Sequence, residues 1–408
     1  MTTSTSGSGV HGAWAPLRHR QFAVLWSAGL VSGIGSWMHD LAAGWFMATL
    51  DPTPSMVALV QAAYTLPVCL LSIPAGTLAD RMDKRQLLLL VQWTMLLLAL
   101  MLGVLVLRGS AGVVTLLLVT LGMGGCVAVM SPTWQAIIPG LVPKQDLQQA
   151  VALHAVNMNI SRAIGPAIAG LVIASFGMAW PFLINAASFL AVIVALWMWQ
   201  VPRGAPKADH PESYLASLRG AFTQVFINRA LRYTLLRSAL FFIFGSCYWA
   251  LLPLIAHEHL QGGARLFGVL VACIGIGAVA TAIVLPALRA RWGLDRVLHV
   301  ATLATAAALA GYALLRVPAL GMLTSLLAGS AWLASMSSVI VAAQLAVPDA
   351  LRGRGMAVFS AVFYGCLAVG SLVWGQVATH LNLAGALLLA SGGALAGLIL
   401  ARKLPLRG

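Results

Sequence analysis

Charge is what this sequence has least of. Asp and Glu number ten and Lys and Arg 24 in 408 residues, 8% together, against about a quarter in soluble proteins. A soluble chain of this length needs two or three domains, each with a charged surface, and there is too little charge to coat them. Cysteine is scarce as well. The five, Cys69, Cys126, Cys247, Cys273 and Cys366, lie in apolar runs without CxxC spacing, which argues against a disulfide framework or a thiolate metal site and leaves small buried hydrophobes. No phosphate loop ending in GK[ST] occurs, so ATP-driven work by this chain is not expected. No nucleophile–base pair or metal cluster appears at usable spacing, which sets aside an enzyme. Basic residues are not interleaved with aromatics, so the net charge of +14 is no nucleic-acid footprint.

What remains is apolar. Hydrophobic residues make up 60% of the chain, and the mean hydropathy is +0.92. A helix needs about 20 apolar residues to cross a bilayer, and short polar breaks divide the chain into twelve such stretches. They fall near 21–49, 56–79, 86–107, 112–138, 147–175, 180–200, 232–256, 266–288, 297–315, 319–346, 356–379 and 383–401. The separations near Phe176–Pro181 and His380–Leu383 are the shortest.

Cations fix the orientation, because Lys and Arg of short loops stay in the cytoplasm. With the amino terminus inside, nineteen of the 24 fall on inner segments and three on outer loops, Arg108, Arg265 and Arg316. Arg162 and Arg237 lie within spans, and Arg237, nearer the inner end, is expected to snorkel. Both termini are therefore expected in the cytoplasm. Residues 1–20 read as a disordered tail with no small-residue cleavage signature, followed by six spans over 21–200, a polar central loop over 201–231, and six more spans with a short tail over 232–408. A shift of 205 residues aligns Val142-Pro143 with Val347-Pro348, Ala152 with Ala357, Gly165 with Gly370 and Gly170 with Gly375. Parallel halves of this kind are the layout of one transporter class.

Half of the residues in "GTLADRMDKR", Gly76 to Arg85, are charged. The decapeptide resembles the signature of the major facilitator superfamily between its second and third helices, G-x-L-a-D-r-x-g-r-r. Gly76, Asp80, Arg81 and Arg85 hold their places, Asp83 stands where glycine is usual, and "PALRARWGLD" (Pro286 to Asp295) echoes the decapeptide in the second half. The resemblance implies an all-α membrane protein of twelve helices in two pseudo-symmetric bundles of six. It also implies a gating loop in which Asp80 faces the start of the eleventh helix, near Gly353–Met356, where a helix dipole favours a carboxylate. The plainer alternative is a positive-inside stop with no gating role.

Ser161-Arg162-Ala163-Ile164-Gly165-Pro166-Ala167-Ile168-Ala169-Gly170 is similar to the G-x-x-x-G-P-x-x-G-G pattern on the fifth helix of antiporters in that superfamily. Pro166 removes a backbone hydrogen bond, and the small residues allow close packing on a partner helix. The eighth helix, with Gly275 and Gly277, is the expected partner. Packing alone also accounts for such a face.

A charge inside the hydrocarbon costs at least ~2.5–3.5 kcal/mol and persists where it meets a cavity or a partner. The one deeply placed acid is Asp40, on a helical face with Gly33, Ser36, Trp37, Gly44 and Met47 and beside His39. On the fifth helix His154, Asn157 and Ser161 share a stripe, with Arg162 one residue round. At 1.5 Å per residue Asp40 lies about 15 Å and Arg162 about 21 Å from the outer ends of their helices, depths that permit an ion pair. An inert structural pair or a wetted Asp is the competing reading. Trp37, Trp134, Tyr248 and Trp332 are the aromatics expected at the cavity, together with Trp45, Phe241, Phe244, Trp249 and Tyr364.

The runs "LRHRQFAVLWSAGLVSGIGSWMHDLAAGWFM" and "LVPKQDLQQAVALHAVNMNISRAIGPAIAG" resemble the bacterial transmembrane secretion effector group, with its enterobactin-exporter-like and macrolide-efflux-like members. The expectation is a monomeric, multi-pass protein of a bacterial inner membrane that exports a small amphiphile such as a siderophore or drug in exchange for protons. It would use the proton-motive force and no cofactor or metal, with the bilayer as its other partner. A lipid or lysolipid flippase of the same fold, and a non-transporting sensor or scaffold, are the alternatives.

Overall fold

The computed structural model describes residues 12, 14–199, 228–347, 352–404 and 406, without the side chains of 73, 76–77, 79–81 and 352–354. Every regular element among them is helical. The α-helices are α1 (Arg20–Leu50), α2 (Pro54–Arg81), α3 (Lys84–Leu107), α4 (Val113–Ile137), α5 (Leu147–Phe176), α6 (Trp180–Met198), α7 (Arg229–Leu254), α8 (Ala264–Leu314), α9 (Pro318–Ala346), α10 (Arg352–His380) and α11 (Leu383–Ala401). By length and composition ten of these are able to cross a membrane. The exception is α1, 31 residues long, whose middle carries Ser32, Ser36, His39 and Asp40.

Local chemistry sets the boundaries. Pro54, Pro181 and Pro318 open α2, α6 and α9, where a missing N–H loses no partner. Asp83 caps α3 by accepting from the Gln86 amide at 2.9 Å, which gives the residue at the signature's glycine position a structural use. Gly177 ends α5 at φ 101, a conformation that side-chain-bearing residues avoid, so the short separation from α6 is real. The eighth and ninth expected stretches differ from the sequence reading. They form one 51-residue run, and Gly293, at φ 75 and ψ 169, breaks it into arms 264–292 and 294–314. One glycine makes the turn that elsewhere takes a loop.

Side-chain contacts sort the helix ends into two levels. At one end, nearest the amino terminus, Arg85 donates through Nε and Nη2 to the carbonyls of Leu196 and Trp197, both at 2.8 Å, tying the start of α3 to the end of α6. His19 Nε2 and Asp146 Oδ2 are 2.8 Å apart and join the approaches to α1 and α5. At the opposite end the Ser55 amide donates to Thr379 Oγ1 at 3.1 Å, joining the start of α2 to the end of α10.

The first six helices pack among themselves, as do the remaining five, and two extensive seams, α2–α10 and α5–α8, join the groups. The 205-residue repeat is visible in these seams. A Cβ on Gly165 would lie 2.8 Å from the Ile34 carbonyl of α1, and one on Gly370 would lie 2.9 Å from the Ile243 carbonyl of α7, so each glycine packs within its own group. Gly170 meets the Ala264 carbonyl at the start of α8, and Gly375 meets Ser55 and Pro54 at the start of α2, so this pair crosses between groups.

The expected pairing of the fifth and eighth helices needs correction in detail. Gly275 packs against Ala163 of α5, as anticipated, but Gly277 faces the Leu326 backbone of α9, and Gly165 and Ser161 face α1. Successive small residues on a helix point in different directions, so one stripe serves two partners. Gly165→Leu, whose Cβ would sit 2.6 Å from Trp37 Cβ, should therefore deplete folded protein; size-exclusion profiles of the solubilised variant test this, and a normal monodisperse yield would contradict it.

Arg237 does not snorkel. It is 3% exposed and ion-pairs through Nη1 with Asp295 on the second arm of α8, while its Nη2 lies 3.4 Å from His299 Nδ1. Asp295 also accepts the Leu406 amide at 3.1 and 3.2 Å, binding the chain after α11 to the same point. The partner stands on another helix, out of view of a span-by-span reading. Asp295→Ala should leave a buried guanidinium unpaired and cost about 3 kcal/mol, seen as a lower unfolding temperature in detergent. An unchanged melting curve would show the pair to be dispensable.

Candidate functional site

Between the two groups of helices lies a cavity of about 590 Å³. It reaches from Gly44 and Phe267 at one end to Phe22, Gln135 and Leu141 at the other. Helix contacts close the end beside Gly44 and Phe267. Trp45 of α1 stacks on Phe267 of α8 at 5.9 Å and meets His257 at 5.7 Å, and Gly170 and Gly268 bring α5 and α8 into backbone contact. Cys69 of α2 donates to the Ala361 carbonyl of α10 at 3.2 Å lower in the seam.

Most of the polar residues singled out in the sequence meet here. Asp40, His39, Trp37, Trp134, His154, Asn157, Arg162 and Trp332 all line the cavity, as do Ser161 and Pro166. Asp40 is exposed within it, projecting from the face of α1 that also presents Gly33, Ser36 and Gly44; Met47 turns away and is fully buried. His39 is buried beneath, its ring edge-on to Phe182 at 4.9 Å and neither nitrogen hydrogen-bonded. Asn157 is partly structural: its amide donates to the Trp26 carbonyl at 2.9 Å while Trp26 Nε1 donates to the Leu153 carbonyl, stitching α1 to α5.

The Asp40–Arg162 ion pair is not formed. Among the described residues no carboxylate lies within 4.0 Å of Arg162, and its guanidinium lies instead over the Trp37 ring, 5.2 Å from the centroid. Equal depth on two helices does not bring two side chains onto the same line. Tyr248 is not at the cavity surface. It is fully buried and supports Trp332, around which Phe241, Phe242, Trp249 and Phe363 also gather. Trp45, Phe241 and Phe244 likewise stand behind the lining. The side chains of Gly76, Asp80 and Arg81 lie outside the described residues, and Arg85 is the α3–α6 clamp given above.

Sequence reasoning missed Gln61, Tyr64 and Thr65 on α2 and Gln92 on α3, all in the lining. A polar stripe at helical spacing inside an apolar run was the available signal for α2. For Gln92 there was none, since a lone glutamine has no periodicity.

The family model described as transmembrane secretion effector matches residues 11–408. The chain belongs to that family of major facilitator transporters. Its relatives include the staphyloferrin A transporter of Staphylococcus aureus, 29% identical over 62% of this chain and 64% of the relative, and the enterobactin exporter EntS of Shigella boydii and Escherichia coli, 29% identical over 68% and 66%. The chain thus matches about two thirds, or slightly less, of the length of these members of the family. Among solved structures the fold is shared with the nucleoside transporter NupG, with a TM-score of 0.75 at 18% identity over 95% of this chain and 99% of that one. It is shared equally with a bacterial homologue of the iron transporter ferroportin in its inward-facing state, with a TM-score of 0.73 at 15% identity over 94% and 98%.

Proposed function

We propose that this membrane protein is a proton-coupled exporter of a small amphiphile, of siderophore or drug type, working by alternating access in a bacterial inner membrane. The observation that carries the reading is the cavity between two groups of helices, closed at one end by the α1–α8 and α5–α8 contacts and holding one carboxyl, Asp40, among its described lining residues. Counting α1 and the two arms of α8 separately is consistent with twelve spans, and the excess of cations on one set of loops supports both termini in the cytoplasm. The sealed side is then the outer one, and the conformation is inward-open. Substrate enters from the cytoplasm, the groups rock, and the α5–α8 and α2–α10 seams part to release it. The similarity to a staphyloferrin A transporter and to an enterobactin exporter supports a siderophore as cargo, and the aromatic lining suits an apolar body. The protein needs no second copy for this cycle and takes its energy from the proton gradient.

Everted membrane vesicles test the reading. Respiration acidifies their lumen, and adding a transported compound should dissipate that gradient, read as recovery of acridine orange fluorescence. No recovery with any siderophore- or drug-like amphiphile, beside a control antiporter that responds, would contradict proton-coupled export.

A further inference from the structure

We infer that the cavity takes its amphiphile by an anionic pole, a carboxylate or an acid of like geometry, seated on Arg162 and Trp37; this deepens the transporter reading above and rests on it. The two groups of helices present unlike walls. Every charged lining residue comes from the first six helices, whereas the other group offers Trp249, Phe267, Trp332, Phe363 and Tyr364 with aliphatic neighbours. A ligand that fills the space has a polar end toward α1 and α5 and an apolar body against the aromatic wall, where rings pack at about 4.5–7 Å.

The sign of the polar end follows from Arg162. It makes no hydrogen bond and no ion pair among the described residues, and its Nε is buried without a partner. Tyr248 and Tyr364 are within electrostatic reach, whereas Asp40 stands within reach of Tyr64 on α2. A guanidinium at this depth is costly to place unless it meets a partner. The cation–π contact with Trp37 offsets only part of that cost, and among the described residues no hydrogen-bond acceptor meets its N–H groups. A guanidinium is planar, and its donors form a fork that a carboxylate meets with two parallel hydrogen bonds. A cationic ligand would be repelled, and a neutral one would offer only an uncharged acceptor, a weaker partner than a carboxylate.

The test uses the purified full-length protein in dodecyl maltoside and three probes of one shape, 1-pyrenebutyrate, 1-pyrenebutanol and 1-pyrenebutylammonium. Binding is read as energy transfer from tryptophan to pyrene, with empty micelles as the blank. The butyrate should bind at least about ten-fold more tightly than the alcohol, equivalent to about 1.4 kcal/mol, and the ammonium most weakly. Arg162→Gln should erase the difference between butyrate and alcohol while both still bind saturably, showing that the cavity persists. Arg162→Lys should keep part of the preference. Equal affinities in the unaltered protein, a preference for the ammonium, or an anion preference that survives Arg162→Gln would each overturn the inference. If Arg162→Gln does not fold, the ranking of the three probes on the unaltered protein decides the matter. No gradient is present in this assay, so failure of proton coupling in vesicles leaves its result standing, and the two failures are read apart.

Discussion

In Asp40→Asn, export driven by a proton gradient should fall to background while the protein inserts, folds and still binds substrate. Asparagine keeps the shape of the side chain and removes its ability to gain and lose a proton, so the variant is frozen in a mimic of the protonated form. Asp40 is exposed in the cavity and has no ion-pair partner among the described residues, so its loss breaks no structural contact. On the proposed mechanism, a carboxyl whose contact with water changes as the two groups of helices rock would take a proton on one side and give it up on the other, and that exchange would tie transport to the gradient. The measurement is gradient-driven accumulation in vesicles with the pH step imposed in each direction, alongside exchange with no gradient. Exchange should survive. Undiminished accumulation would remove Asp40 from the role and shift attention to His154, in the lining, and to His39, whose two ring nitrogens lack partners.

The second large effect concerns the outer seal. A Cβ on Gly268 would lie 2.5 Å from the Pro166 carbonyl of α5 and 3.1 Å from Gly170 Cα. Both are backbone atoms, so nothing short of separating the helices makes room. Gly268→Leu should therefore destabilise the closed outer side by about 1–3 kcal/mol, a typical overpacking cost. Because the open conformation does not bear this cost, the equilibrium between the two should move by roughly 5–150-fold toward it. Spin labels at Phe176 and Arg265, at the outer ends of α5 and α8, should report a longer mean distance, and a cysteine placed at Gln135 in the inner mouth should become slower to alkylate. Two controls separate this from general damage. Gly277→Ala clashes with the Leu326 backbone inside one group of helices and should lower stability without moving the labels, whereas Gly392 has nothing within 4 Å and should tolerate alanine. An unchanged distance in Gly268→Leu would mean that α5 and α8 do not part during the cycle.

Much of this protein is legible along the chain because the bilayer imposes a one-dimensional rule. Each crossing takes a run of about 20 apolar residues, so scarce polar residues mark either an end or a cavity. Asp40 and Arg162 stood out for that reason, and both line the cavity. The decapeptide around Asp80 resembled the superfamily signature, and the family match agrees with the superfamily. The repeat found by shifting the sequence 205 residues also has a physical counterpart: Gly165 and Gly370 each pack within their own group, and Gly170 and Gly375 each cross to the other.

Hydropathy, charge placement and small-residue spacing thus determined the all-helical membrane class, the polar face of α1 and the close-packing face of α5. These properties belong to single helices, where neighbours in sequence are neighbours in space. Which side chains meet was decided by the tertiary structure. Arg162 lies on Trp37 rather than on Asp40, Arg237 finds Asp295 across 58 residues, Gly277 turns to α9, and Tyr248 stands behind Trp332. Each outcome depends on the rotation of one helix about its axis relative to another. A sequence records that rotation only through packing with helices far away in the chain.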